Sequence, residues 1–189
     1  FPTLKLMGQA QLQQLPQHVA IINASRGEVT CNQALLQEAK SGVQRPLVLD
    51  VWDNEPHVLQ ELVPFTRIAT AHIAGHSIEG KARGTEMLYQ RCCELLNIIP
   101  SKQLSLLLAQ PVMQKVQISS NFGLPDVQNL ARLLYDVRRD DAIFRHNLPI
   151  YGFDWIRKNY PARREFSSLH IESTAADGAL LQLGFSLVQ

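Results

Sequence analysis

The sequence predicts an α/β fold with a parallel sheet, and three observations carry that expectation. Short apolar runs at residues 19–22, 46–49 and 68–69 read as buried strands. Their order with what lies between them, strand, helix, strand, loop, strand, is that of a parallel crossover unit. Each run is followed at once by a polar cluster: Asn23-Ala24-Ser25-Arg26-Gly27, then Asp50-Val51-Trp52-Asp53-Asn54-Glu55-Pro56, then Ala71-His72-Ile73-Ala74-Gly75-His76. In open α/β sheets, ligands bind just beyond the carboxyl ends of the strands, where these clusters fall.

In chain order, residues 6–15 read as a short helix ended by Pro16. After the strand at 19–22, Thr30 and Gln33 stand at capping-box spacing and open a helix that Gly42 closes. Strands are expected at 47–51 and 66–70, with Pro56 and Pro64 punctuating the loop between them. This order fits the second half of a dinucleotide-binding domain. No G-x-G-x-x-G turn, which the first half would carry, occurs in the chain. Residues 77–96 read as a long helix with Gly80 and Gly84 on one face, open to close packing of another backbone. Residues 101–111 look like a linker.

A second α/β unit starts near Val112. It has a strand at 116–119, then a helix with Pro125 in its first turn and Val127, Leu130, Leu134 and Val137 along one stripe. A short helix at 153–160, a strand at 169–172, a helix at 175–183 and a last strand at 185–188 complete a small α/β sandwich. Arg138, Arg139, Asp140 and Asp141 read as a solvated helix end with self-paired charges.

Composition narrows the function classes. The 189 residues carry a formal net charge of +1, so no basic field argues for nucleic acid or a membrane surface. No apolar run approaches a membrane span. Opening on Phe1 within an α/β pattern, the chain reads as the C-terminal part of a longer protein. Cys31, Cys92 and Cys93 are odd in number and lack metal-ligand spacing, so neither a disulfide framework nor a metal site is expected. What remains is the set Arg26, Glu55 and His72 on one sheet edge. Arg grips a carboxylate with two parallel hydrogen bonds. His moves a proton near neutral pH, and Glu holds the ring and favours its protonated form.

The turns Ile22-Asn23-Ala24-Ser25-Arg26-Gly27, Asp50-Val51-Trp52-Asp53-Asn54-Glu55-Pro56 and His72-Ile73-Ala74-Gly75 resemble, in order, the late signatures of the D-isomer-specific 2-hydroxyacid dehydrogenases. Residues 74–85 and 135–141 extend the resemblance. It implies the second half of a Rossmann-type NAD-binding domain and the helix returning to a substrate domain (residues 1–100), a linker (101–111) and a C-terminal dimerisation domain (112–189). It implies Arg26, Glu55 and His72 as catalytic residues. It implies Ala24, Ser25, Arg26, Asp50 and Gly75 as neighbours of NAD, and His76 as a substrate-binding residue. The expected partners are a small phosphorylated hydroxy acid and a second copy of the chain, in the cytoplasm, with no nucleic acid and no membrane. The chain departs from the family pattern at Cys31 (usually Asp), Ala71 (usually Pro) and His76 (usually Tyr). A dehydrogenase for another D-2-hydroxy acid and a non-enzymatic NAD-sensing protein on the same fold remain open. A phosphate needs further cations, and the densest uncommitted basic run is Arg157-Lys158-Asn159-Tyr160-Pro161-Ala162-Arg163-Arg164.

Overall fold

The computed structural model describes residues 2–119, 122–173 and 178–188. Its elements are α1 (Gln9–Gln14), β1 (Ile21–Asn23), α2 (Asn32–Lys40), β2 (Leu47–Leu49), β3 (Ile68–Ala69), α3 (Ile78–Leu95), α4 (Leu104–Leu107), β4 (Lys115–Ile118), α5 (Leu124–Leu134), α6 (Val137–Tyr151), α7 (Phe153–Lys158), β5 (His170–Ser173), α8 (Gly178–Gln182) and β6 (Ser186–Val188). Of the helix expected at 175–183, residues 175–177 lie outside the described residues.

Contacts divide the chain into two compact units, Phe1–Ala74 with Val137–Tyr160, and Gly75–Asp136 with Pro161–Gln189. This differs from a boundary at 101–111, and the reason is apolar burial. Phe144 and Leu148 of α6, with Phe153 and Ile156 of α7, join the core of the first sheet. Within the expected linker, residues 104–107 form α4.

The first unit is built on a parallel sheet of order β1-β2-β3. Its register pairs Asn23 with Leu49 and Leu49 with Ala69, so the three strands end together. Leu35 and Leu36 of α2, Leu47 and Leu49 of β2, Trp52 and Leu62 pack with the α6–α7 residues. Each fully buried Leu or Phe contributes about 1.5–3 kcal/mol. Trp52 stacks on Phe144 at 5.3 Å, and Phe144 meets Phe153 edge-on at 6.4 Å. Arg45 is buried and donates to both carboxylate oxygens of Glu38 and to the carbonyls of Pro16 and Val19, tying α2 to the entry of β1. These Glu38 hydrogen bonds push the Arg45 guanidinium above its ordinary, already high, pKa.

The expected capping of α2 by Thr30 does not occur. Cys31 is the N-cap residue and makes no side-chain cap. The Thr30 hydroxyl is instead an acceptor for the Asn23 amide, 3.2 Å away, because the neighbouring turn claims it. At the other end Gly42 stands at φ +98°, as a helix-closing glycine should. The 138–141 segment meets its expectation only in part: Arg138 and Arg139 are exposed, but the two aspartates are not solvated as expected. It is the start of a helix, and Asp140 is buried and accepts from the Tyr160 hydroxyl at 3.0 Å. Asp141 accepts from the Ala69 amide at 2.7 Å and from Arg145. Asp141 thus serves the edge of β3, and Asp140 is out of solvent.

The second unit has its own parallel sheet, β4-β5-β6. One face carries Leu169 and Ile171 against Leu130 of α5, Leu180 of α8 and Phe185, with Val127 and Leu134 partly buried beside them. The α5 stripe is therefore spent on its own sheet, and Val137 leaves it to begin α6. Ser77 caps α3 by accepting from the Gly80 amide at 2.8 Å. A Cβ at Gly80 would lie 2.5 Å from the Gly75 carbonyl, so the expected close approach is real there, while Gly84 faces open space.

Candidate active site

The site is assembled where β1, β2 and β3 end. The ladder continues past the strands: the Asp50 amide donates to the Asn23 carbonyl (2.9 Å), Thr70 to Leu49 (3.0 Å) and His72 to Asp50 (2.7 Å). Three turns thus share one edge, and each has its own shaping groups.

Asn23 builds the first turn. Its side-chain oxygen accepts from the Ser25 amide (3.1 Å) and hydroxyl (2.8 Å), and its amide donates to the Arg26 carbonyl at 3.0 Å. This side-chain turn is the short-range behaviour Asn is suited to. It leaves Ala24, Ser25 and Arg26 exposed. The Arg26 guanidinium spends one donor on the Ser25 carbonyl (2.8 Å), leaving the planar fork available. Gly27 is packed onto the second turn: a Cβ there would lie 1.9 Å from the Trp52 carbonyl oxygen. Only glycine lets the Arg26 turn and the Glu55 turn come together.

The second turn places Glu55. One carboxylate oxygen accepts from the Trp52 amide at 2.8 Å and the other meets His72 Nδ1 at 2.8 Å. The Trp52 indole N–H donates to the Thr70 carbonyl at 2.8 Å, linking the second turn to the third. Glu55 and His72 are therefore brought together as expected, with side chains 22% and 28% exposed. An ionised Glu55 accepts from Nδ1–H, so neutral His72 carries its proton there. Nε2 then carries the lone pair, with no partner among the described residues.

Asp50 holds the third turn. It is buried, and its carboxylate accepts from the Thr70 hydroxyl (2.7 Å) and from the amides of Ile73 (2.7 Å) and Ala74 (2.9 Å). His72 sits at φ +56° within that turn, a left-handed conformation that costs a non-glycine residue about 1–2 kcal/mol. The Asp50 bonds offset that cost. Gly75 (φ +73°) and His76 belong to the second unit.

Arg157 and Arg164 of the basic run at 157–164 are engaged with other groups. Arg157 donates through one nitrogen to the carbonyls of His72 (2.8 Å) and Ala71 (3.3 Å). Arg164 pairs with Glu79 and donates to the Ala109 carbonyl. Sequence reasoning missed Arg157 as a neighbour of His72, and no local signal could have found it across 85 positions. Thr70 was missed too, although its place at the end of β3 beside a strand-end Asp is a readable hint. Among the described residues no cluster of His, Cys, Asp or Glu could hold a metal ion. No described helix is long and apolar enough to cross a membrane.

Comparison with known proteins agrees with this edge. Residues 2–74 match the family model described as D-isomer specific 2-hydroxyacid dehydrogenase, NAD binding domain. Residues 107–184 match a domain of unknown function, DUF3410. The chain is similar to the erythronate-4-phosphate dehydrogenases of Pseudoalteromonas translucida (48% identical over 98% of this chain and 50% of that protein) and Colwellia psychrerythraea (47%, over 98% and 48%). That of Aeromonas hydrophila is 48% identical over 97% of this chain and 49% of its own length. The chain thus spans about half the length of the curated relatives it matches. Residues 2–74 thus match the NAD-binding domain of the D-isomer specific 2-hydroxyacid dehydrogenases, and the chain is similar along nearly all its length to erythronate-4-phosphate dehydrogenases.

Proposed function

We propose that the protein containing this chain oxidises 4-phospho-D-erythronate to (R)-3-hydroxy-2-oxo-4-phosphooxybutanoate with NAD, as a cytoplasmic homodimer in pyridoxal 5'-phosphate formation. The observation that carries the reading is the 2.8 Å bond from Glu55 to His72 Nδ1, which leaves Nε2 free at a sheet edge that also presents Arg26. The relatives' names supply the substrate.

His72 Nε2 takes the proton of the substrate's 2-hydroxyl during oxidation and returns it during reduction. Glu55 stabilises the imidazolium that forms, and such positioned proton transfer contributes on the order of 10²- to 10⁴-fold in rate. Arg26 binds the carboxylate through its planar fork and draws charge from the reacting oxygen. The residues present suit a dinucleotide: Ala24 and Ser25 are small and exposed, and Asp50 is a buried acceptor at the same edge. By the resemblance, Ala24, Ser25, Arg26, Asp50 and Gly75 would hold it, and His76 would bind the substrate. When bound, the nicotinamide supplies the hydride acceptor. Exposed apolar side chains of the second unit, among them Leu106, Leu107, Leu124 and Leu133, support pairing with a second copy.

The test uses the full-length protein, a panel of D-2-hydroxy acids and NADH formation as the readout. The phosphorylated four-carbon acid is expected to give the highest kcat/KM. Preference for 3-phosphoglycerate would move the reading to another member of the class, and binding of NAD without turnover of any acid would replace it with a sensor. Arg26→Lys keeps the charge and loses the fork. It should lower kcat/KM for the acid by roughly tenfold or more, one bidentate pair being worth about 1.5–3 kcal/mol. NAD affinity should change little, and equal losses in both would argue against the carboxylate role.

A further inference from the structure

We propose that Arg157 is a positioning residue for His72: it locks the backbone from which the imidazole projects. The inference rests on the acid–base role given above to His72.

His72 holds a left-handed backbone at φ +56°. Two bonds grip its main chain from opposite sides. Its amide donates to the Asp50 carbonyl at 2.7 Å. Its carbonyl accepts from Arg157 Nη1 at 2.8 Å, and the same nitrogen reaches the Ala71 carbonyl at 3.3 Å. The second grip is charge-assisted, which makes it roughly twice as strong as a neutral hydrogen bond. Two successive carbonyls bound to one cation fix the two peptide planes that flank the His72 Cα. Without that cation no other hydrogen bond among the described residues holds the carbonyl side against relaxation of the strained residue toward ordinary backbone angles.

Arg157 is itself held. It sits in the last turn of α7, and its guanidinium carbon lies 5.9 Å from the centre of the Phe153 ring, which is buried in the core. Phe153 in turn contacts Phe144, which stacks on Trp52, and the Trp52 indole donates to the Thr70 carbonyl. The imidazole is therefore set from two sides. Glu55 fixes its Nδ1, and Arg157, anchored in the same aromatic core, fixes its backbone. Arg157 lies in the helical pair and not in the segment that matches the NAD-binding domain. The α6–α7 pair thus supplies part of the site's geometry.

The test uses the full-length protein with Arg157→Met and Arg157→Ala. Both should lower kcat at least tenfold, with NAD affinity and KM for the hydroxy acid within about twofold of the parent, because proton transfer and not binding is disturbed. Millimolar guanidinium ion should restore part of the kcat of Arg157→Ala and none of that of His72→Ala. In parallel, the His72 Hε1 NMR resonance, assigned by its loss in His72→Gln, should move or broaden in Arg157→Met; this readout needs no activity. A parent without dehydrogenase activity would defeat the functional reading alone, and the resonance would still decide the positioning role. An unmoved resonance with unchanged kcat overturns the proposal. A rise in KM without a fall in kcat also overturns it, since Arg157 would then be a binding residue.

Discussion

The two sheets are alike in plan and differ in what they do with polar residues. Both have three parallel strands with sequential neighbours paired. In the first unit β2 is Leu47-Val48-Leu49, an apolar run, and the polar groups gather past the strand ends. There Asn23, Asp50 and Thr70 are buried, and most of their side-chain partners lie within the turns. In the second unit polarity alternates along the strands instead: in β4, Lys115 and Gln117 are exposed, while Val116 and Ile118 pack on the core. Lys115 forms its ion pair across the ladder with Glu172 on the exposed face. A half-buried parallel sheet is unusual, since such sheets are mostly covered on both faces. The difference separates a sheet whose end is a site from a sheet whose face is a scaffold. Buried polar groups are tolerated at the first because they hold three turns in one arrangement, whereas those of the second unit, Ser77 and Glu79, lie at the start of α3 and bond to Glu165 and Arg164.

Substitutions can break or sharpen this contrast. The largest effect on stability should come from the scaffold core. Ile171→Ala empties a fully buried position and should cost about 2–5 kcal/mol in denaturant unfolding of the full-length protein. Where the variant remains folded, kcat should stay near the parent value. A large specific loss of kcat there would tie the second sheet to the chemistry. Next comes Gly27→Ala, which forces a methyl against the Trp52–Asp53 peptide. Overpacking of this kind costs about 1–3 kcal/mol. Because the clash lies between the Arg26 and Glu55 turns, turnover should fall along with stability. Unchanged activity would mean that the close contact serves packing only. The smallest effect should come from Lys115→Ala, which removes an exposed pair worth at most about 1 kcal/mol. A larger loss in thermal or denaturant unfolding would show that the polar face is covered in the assembled protein.

The parts readable in the sequence were those set by neighbours a few positions apart. The three turns could be placed at strand ends because Asn23, Arg26, Glu55 and His72 follow apolar runs directly, and Glu55 does meet His72. The long helix at 77–96 is observed as Ile78–Leu95 with Ser77 as its cap. What could not be read depended on distant partners. Thr30 looked like a cap, but its hydroxyl bonds Asn23, seven positions back. Asp140 and Asp141 looked solvated because four charges stand in a row, yet tertiary partners at Tyr160 and Ala69 bury or bind them. Helix α6 was hidden behind that charge run and by Pro149 in its last turn. Arg157 belonged to a basic run whose commitments only the fold reveals. Asp50 was expected beside the cofactor; its observed bonds all go to the turn that carries His72.

The central claim is that Glu55 acts through His72, and a double-mutant cycle on the full-length protein measures it. His72→Ala should lower kcat by roughly 10² or more, since proton transfer loses its carrier. Glu55→Ala should also lower kcat when His72 is present. In the His72→Ala background the same change should cost little further, because residues that act as a unit are strongly non-additive. Losses that multiply in the double variant would mean that Glu55 works independently of His72, and the account of the site would be contradicted.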